Sequence, residues 1–212
     1  RDTSWRHFSS LAKELGVWLL IGSIAIKVGK KATNKSFLFS PEGKKIATYD
    51  KIHMFDVNLP GEDAYKESSV YVAGTEAVVA SLPWGKVGLS ICYDLRFPYL
   101  YRALSHAGAV MLTVPAAFTE QTGTAHWHAL LRARAIENGA FVFAPAQCGK
   151  HTNGRRTYGH SLIVDPWGKI IGDGGNEIGV TVTEVNMEQV VRARNSIGSL
   201  THDKNIVIQT VS

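Results

Sequence analysis

The chain has 212 residues, 23 Lys+Arg against 18 Asp+Glu (formal charge +5), 45% hydrophobic residues and two cysteines. This hydrophobic content excludes a disordered chain, and two cysteines exclude a disulfide scaffold. The densest apolar run, Val17 to Ile21, stops at Gly22, far short of the roughly 20 residues that span a bilayer.

The elements follow in chain order. Trp5, Phe8, Leu11, Ala12 and Leu15 recur at helical spacing, with Thr3 or Ser4 as caps and Gly16 as the stop. Val17 to Ile26 reads as a buried strand. Ser36–Phe39 and Ile46–Tyr49 flank Ser40-Pro41-Glu42-Gly43 as a hairpin, and Glu76–Leu82 and Val87–Ile91 flank Pro83-Trp84-Gly85 as a second. Phe97–His106 is predicted helical, Ala109–Val114 a strand, and Ala125–Asn138 a helix closed by Gly139. Phe141–Ala146, Tyr158–Val164, Lys169–Ile171 and Val180–Val185 are predicted strands, and Met187–Arg194 a helix. Hairpins mixed with helices argue against a regular doubly wound sheet. The expectation is one α/β domain over residues 1–212, a four-layer α-β-β-α sandwich with an irregular tail from residue 195.

Basic residues come in scattered pairs (Lys30-Lys31, Lys44-Lys45, Arg155-Arg156), not in a stripe interleaved with aromatics, so no nucleic-acid partner is expected. His126 and His128 sit at i and i+2 of a predicted helix and face different sides, and Cys148 with His151 lacks a second ligand pair. No glycine-rich phosphate loop is present. Neither a metal nor another cofactor is expected.

Val87-Gly88-Leu89-Ser90-Ile91-Cys92 delivers a thiol to the end of an apolar strand, just ahead of a helix. Backbone N–H groups and the positive end of a helix dipole favour a thiolate there, and the Tyr93 N–H can hold an oxyanion. A buried structural cysteine explains the same residues, so both readings stay open. Lys51, at the end of the hairpin strand, is either an ammonium aimed into a site or a solvated surface charge. His53 is either a base for Cys92 or a structural imidazole. Arg155 and Arg156 either meet substrate carboxylates or are solvated.

Tyr49-Asp50-Lys51-Ile52-His53-Met54-Phe55-Asp56, Glu67-Ser68, and Gly88 to Pro98 around Cys92 together resemble the nitrilase superfamily of carbon–nitrogen hydrolases. Pro115-Ala116-Ala117-Phe118, Gly123-Thr124-Ala125-His126-Trp127 and Arg132 to Asn138 extend the likeness. Gln147-Cys148-Gly149 and Tyr158-Gly159-His160-Ser161 are most similar to its deaminated glutathione amidase branch, with the omega-amidases, which act on α-ketoglutaramate, as the alternative. The resemblance implies that Cys92 is the nucleophile of a thioester acyl-enzyme. It implies that Lys51 and the Tyr93 N–H hold the oxyanion and that Glu67 positions the lysine and assists proton transfer. Phe118, Trp127 and Ala117 are implied to line the substrate pocket, and Arg96, Glu137 and Asn138 to frame the site. The implied partner is a small amide, with no cofactor, a cytoplasmic setting, no membrane, and a homodimer or higher homo-oligomer. The family's general-base glutamate lies on a strand ahead of the opening helix, and no residue here corresponds to it. The chain, which starts at Arg1 without Met, is therefore expected to lack an N-terminal strand-helix-strand portion and to be catalytically impaired.

Overall fold

The computed structural model describes residues 4–60, 64–152 and 154–211. The expected cap Thr3 lies outside the described residues, and Ser4 opens helix α1 (Ser4–Leu15). Trp5, Phe8 and Ala12 pack down onto Phe37 and Phe39, and Gly16 ends the helix in a left-handed conformation. Beneath α1 lies an antiparallel sheet of β1 (Leu19–Val28), β2 (Lys31–Phe39) and β3 (Lys45–Asp50). The β1–β2 reversal at Gly29-Lys30 was not expected from the sequence, which shows little apolar alternation across residues 27–35. Along β2 the faces alternate: Phe37 and Phe39 meet α1, while Leu38 enters the next core.

Two short strands, β4 (Asp56–Val57) and β5 (Tyr65–Lys66), pair across the connection to the main sheet and end in a 3-10 turn, Glu67–Ser69. The main sheet holds β6 (Val78–Leu82), β7 (Gly85–Leu89), β8 (Ala109–Thr113), β9 (Phe141–Ala144), β12 (Leu162–Val164) and β13 (Ile170–Asp173), in the order β13-β12-β9-β8-β7-β6. A separate hairpin, β10 (Cys148–Lys150) with β11 (Arg156–Tyr158), rises between β9 and β12. Strands β7, β8 and β9 are parallel, joined by helices α2 (Pro98–His106) and α3 (Glu120–Asn138). Helix α3 closes at Gly139, whose φ of +50° suits a residue without Cβ. A final helix, α4 (Glu188–Ser196), adds Val190 to the core.

Two cores explain the stacking. Val87, Leu89, Met111 and Phe141 point from the main sheet toward Leu38 and Tyr49, so the two sheets meet face to face. On the opposite face Leu112, Val114, Val142 and Ala144 pack with Leu104, Trp127 and Leu131 of α2 and α3. With α1 outside the small sheet, the layers run α-β-β-α, as the sequence led us to expect. Each large apolar side chain so enclosed contributes roughly 1.5–3 kcal/mol.

Two strand expectations need correction. Tyr158–Val164 is two strands, because Gly159 and His160 both take positive φ (73° and 53°) and break the extended run. Val180–Val185 is no strand: Val180 and Val182 are 89% and 85% exposed, and with no ladder partner among the described residues a strand's polar groups have nothing to pair with.

Candidate active site

The C-terminal ends of parallel strands are where open α/β sheets gather their chemistry. Here β7 runs out through Ser90 and Ile91 to Cys92, whose φ of +51° is uncommon for a residue with a side chain. The conformation is held from several sides. The Cys92 N–H donates to the Pro115 carbonyl (2.9 Å), beyond the end of β8, and the Ile91 N–H donates to Asp94 Oδ2 (2.8 Å). Cys92 and Tyr93 open a 3-10 turn, Cys92–Arg96, and the early N–H groups of such a turn lack acceptors within it.

Lys51 follows the last residue of β3. Its N–H donates to the Asn34 carbonyl (2.9 Å) and its carbonyl accepts from Gly74 (2.8 Å), so its backbone is held on both sides. The residue is 2% exposed, and its ammonium is paired with Glu67 Oε2. The Phe55 N–H donates to that same oxygen (2.6 Å). Glu67 is presented by the 3-10 turn after β5, and this turn is capped by Asp56, which accepts from the Ser68 N–H (2.9 Å).

Although 41 positions (92 − 51) separate them, Lys51 and Cys92 converge, and the lysine's charge draws the thiol pKa down. The Ala117 N–H, which bonds to the sulfur, and the Arg155 guanidinium act in the same direction. Burial is the larger effect, however, and holds the Cys92 pKa above its ordinary value. This corrects the expected helix-dipole activation: the turn after Cys92 is short, α2 begins only at Pro98, and desolvation prevails. The resting group is a thiol among cations, which stabilise the sulfur once its proton leaves.

Other candidates take more definite places. His53 is not a base for Cys92. Its Nδ1 meets Asp94 Oδ1 (2.7 Å), its Nε2 meets the Tyr99 hydroxyl (2.5 Å), and its ring stacks on Phe97 at 3.6 Å. Trp127 does not line an opening. It is fully buried against Phe118 (5.0 Å between ring centroids), and its Nε1–H donates to the His160 carbonyl (2.8 Å). Phe118, 4% exposed, backs the site beneath Arg96, whose guanidinium lies 5.2 Å from its ring. Ala117 bears on the site through its backbone, its N–H toward the sulfur and its carbonyl toward Arg155. Glu137 and Asn138 act through Arg134. Glu137 pairs with that guanidinium (2.9 Å), Asn138 donates to its carbonyl (2.8 Å), and Arg134 grips the Leu95 carbonyl (2.9 and 3.1 Å).

Sequence reasoning missed two residues, Asp94 and Arg134, and left Arg155 undecided. Asp94 is fully buried and accepts from the Tyr49 hydroxyl (2.6 Å), His53 and the Ile91 N–H, pinning the turn that carries Cys92. Burial, then the Asp94 charge, pushes the Tyr49 phenol above its usual range, which keeps it a donor. Arg134, fixed on Leu95, lies within the Arg132 to Asn138 motif but does not stand out there. Arg155 is half-buried, 5.5 Å from the Tyr65 ring, whereas Arg156 makes an exposed pair with Glu120 (2.7 Å). Only the acid two residues after Cys92 was a usable signal. Nothing local separates Arg155 from Arg156. A surface cavity of about 300 Å³ between α4 and Asp165–Trp167 holds no thiol or lysine and lies apart from this cluster.

The thiol, lysine and glutamate thus meet at the C-terminal end of β7, and residues 2–195 match the carbon-nitrogen hydrolase family. The chain belongs to that family. This carbon-nitrogen hydrolase is 45% identical over 202 residues to the deaminated glutathione amidase of Synechocystis sp., covering 93% of this chain and 74% of the relative. Its fold superposes on the C. elegans NitFhit protein with a TM-score of 0.89 at 37% identity, covering 95% of this chain and half of that one. It also resembles an amidase from Nesterenkonia sp. AN1 (TM-score 0.75, 26% identity, covering 90% of this chain and 69% of that one). A glutamate-to-glutamine mutant of that amidase carries the acetamide moiety of fluoroacetamide covalently at its active-site cysteine. Among the described residues no helix is long and apolar enough to cross a membrane.

Proposed function

We propose that this hydrolase cleaves the amide bond of a small α-keto acid amide bearing carboxylates, of the deaminated glutathione kind, through a thioester on Cys92. The observation that carries the reading is the enclosed Lys51–Glu67 pair beside a half-buried thiol at a strained strand end. A buried ammonium at that point favours negative charge appearing on a neighbouring atom. The thiolate sulfur of Cys92 attacks the amide carbon, and the carbonyl π electrons move to oxygen. Lys51 Nζ and the Tyr93 N–H take that oxyanion. As the intermediate collapses, the C–N bond breaks and the nitrogen leaves with a proton as an amine. Water then splits the thioester and restores the thiol. Arg155, half-buried beside the sulfur, adds positive charge where a substrate carboxylate would lie.

The thiol proton needs a base. The Glu67 oxygen facing the lysine already accepts from Lys51 and from the Phe55 N–H, so Glu67 holds the ammonium in place and is poorly free to take that proton. The test mixes the chain with deaminated glutathione or α-ketoglutaramate, quenches in acid and weighs the protein. An acyl adduct on Cys92, absent in Cys92→Ala, is expected from deaminated glutathione first. Faster acylation by α-ketoglutaramate would move the assignment to an omega-amidase. Amide cleavage that survives Cys92→Ala would overturn both.

A further inference from the structure

His128 stands on α3, His160 in the loop after β11, and Asp173 at the end of β13. Their spacing along the chain (45 positions from His128 to Asp173, 13 from His160) matches no zinc motif, which is why the sequence showed no metal site. Folding brings one donor atom from each to within 4.8 Å of the others. His160 Nδ1 lies 3.0 and 3.1 Å from the two Asp173 oxygens, and His128 Nε2 lies 3.5 Å from Oδ2. Ligands on a tetrahedral zinc at about 2.0–2.1 Å stand roughly 3.3 Å apart, so two edges of the triangle already match and the third is no longer than 4.8 Å.

The triad is also held as ligands are. His160 has a φ of +53°, its N–H donates to the Gly175 carbonyl (2.7 Å), and its own carbonyl accepts from Trp127 (2.8 Å). The Tyr158 ring stacks on His160 at 4.5 Å, and its hydroxyl meets the other nitrogen of His128 (3.4 Å), the kind of outer contact that orients a ligating imidazole. Gly123 allows this approach, since a Cβ there would fall 2.3 Å from Tyr158 Cβ. The Gly175 N–H donates to Asp173 Oδ1 (2.8 Å). All three side chains remain partly open to water, which leaves a route for an ion.

We propose that His128, His160 and Asp173 form a site for a divalent ion of the zinc class, fastening α3 to the β13 edge of the main sheet. Two imidazoles and one carboxylate suit zinc, cobalt(II) or nickel(II) better than magnesium or calcium, which prefer oxygen. Nothing in the amide chemistry uses these residues, so the site stands independently of that reading.

The test uses the full 212-residue chain carrying Cys92→Ser and Cys148→Ser, which keeps thiols out of the count, stripped with EDTA and dialysed against zinc chloride. One zinc per chain and a zinc-dependent rise in melting temperature are expected. His128→Gln and Asp173→Asn should each weaken binding by at least about tenfold and abolish the rise, while His7→Gln on α1 should leave both unchanged. Cobalt(II) should give visible d–d bands that Asp173→Asn removes. Zinc binding equal in the parent, His128→Gln and Asp173→Asn, or no binding by a parent that circular dichroism shows folded, overturns the proposal.

Discussion

Two apolar segments of similar composition meet opposite fates in this hydrolase. Val87-Gly88-Leu89-Ser90-Ile91 lies inside the main sheet, with a ladder on each side and a core on each face, and Leu89 and Ile91 are almost completely enclosed. Gly179-Val180-Thr181-Val182-Thr183 has as much β-branched character, yet Val180 and Val182 stand in solvent. Strand propensity measures how well a side chain fits a pleated, half-buried surface. Among the described residues no neighbouring strand supplies that surface here, and the segment forms no ladder. The first segment, so held, can carry a thiol at its end in an unfavourable backbone conformation, and the second carries nothing.

The comparison is most severely tested where the enclosed segment turns. Asp94→Ala would leave the Tyr49 hydroxyl, the His53 ring and the Ile91 N–H without their acceptor, and losing one partner of a buried charged network costs about 3–5 kcal/mol. Urea unfolding should show that loss, and acyl-adduct formation on Cys92 should fall with it. A loss below about 1 kcal/mol, the scale of one ordinary hydrogen bond, would mean that the turn does not depend on this carboxylate.

A paired measurement sharpens the contrast next. Leu89→Ala should cost about 2–5 kcal/mol through lost burial and the cavity left behind. Val182→Ala should stay within about 0.5 kcal/mol. Equal costs would show that the second segment is packed in solution.

The smallest effect concerns the thiol itself. Because burial keeps the Cys92 pKa above the ordinary thiol value, the thiolate fraction at about pH 8 is small, and alkylation by iodoacetamide should accelerate as pH climbs past about 8.5. Lys51→Gln removes a charge that draws the pKa down, so labelling at a fixed pH should slow several-fold. Peptide mass spectrometry of the Cys92 peptide follows both rates. Labelling complete well below about pH 8 would contradict the dominance of burial.

Most of the helices and the central strands could be read from sequence because their apolar periods are local: Trp5 to Leu15 at helical spacing, and Val87 to Ile91 as a short buried run. The β1–β2 turn at Gly29-Lys30 and the break at Gly159-His160 were harder. Polar strands carry little alternation, and a histidine at positive φ gives no local sign. At the site, Cys92, Lys51 and Glu67 stand out in the sequence through their motifs. The buried state of Trp127, the engagement of His53 by Asp94, and the inward placement of Arg155 do not.

By itself, the order of residues determined which segments could become helix or strand, since backbone propensity and hydrophobic period act over a few positions. It also placed one thiol at the end of an apolar strand. Only the tertiary structure decided which apolar segments found partners, whether burial or nearby cations set the state of the thiol, and which histidines met a carboxylate. Those outcomes depend on distances between residues tens of positions apart, and solvent exclusion and charge interaction act through space, whatever the separation along the chain.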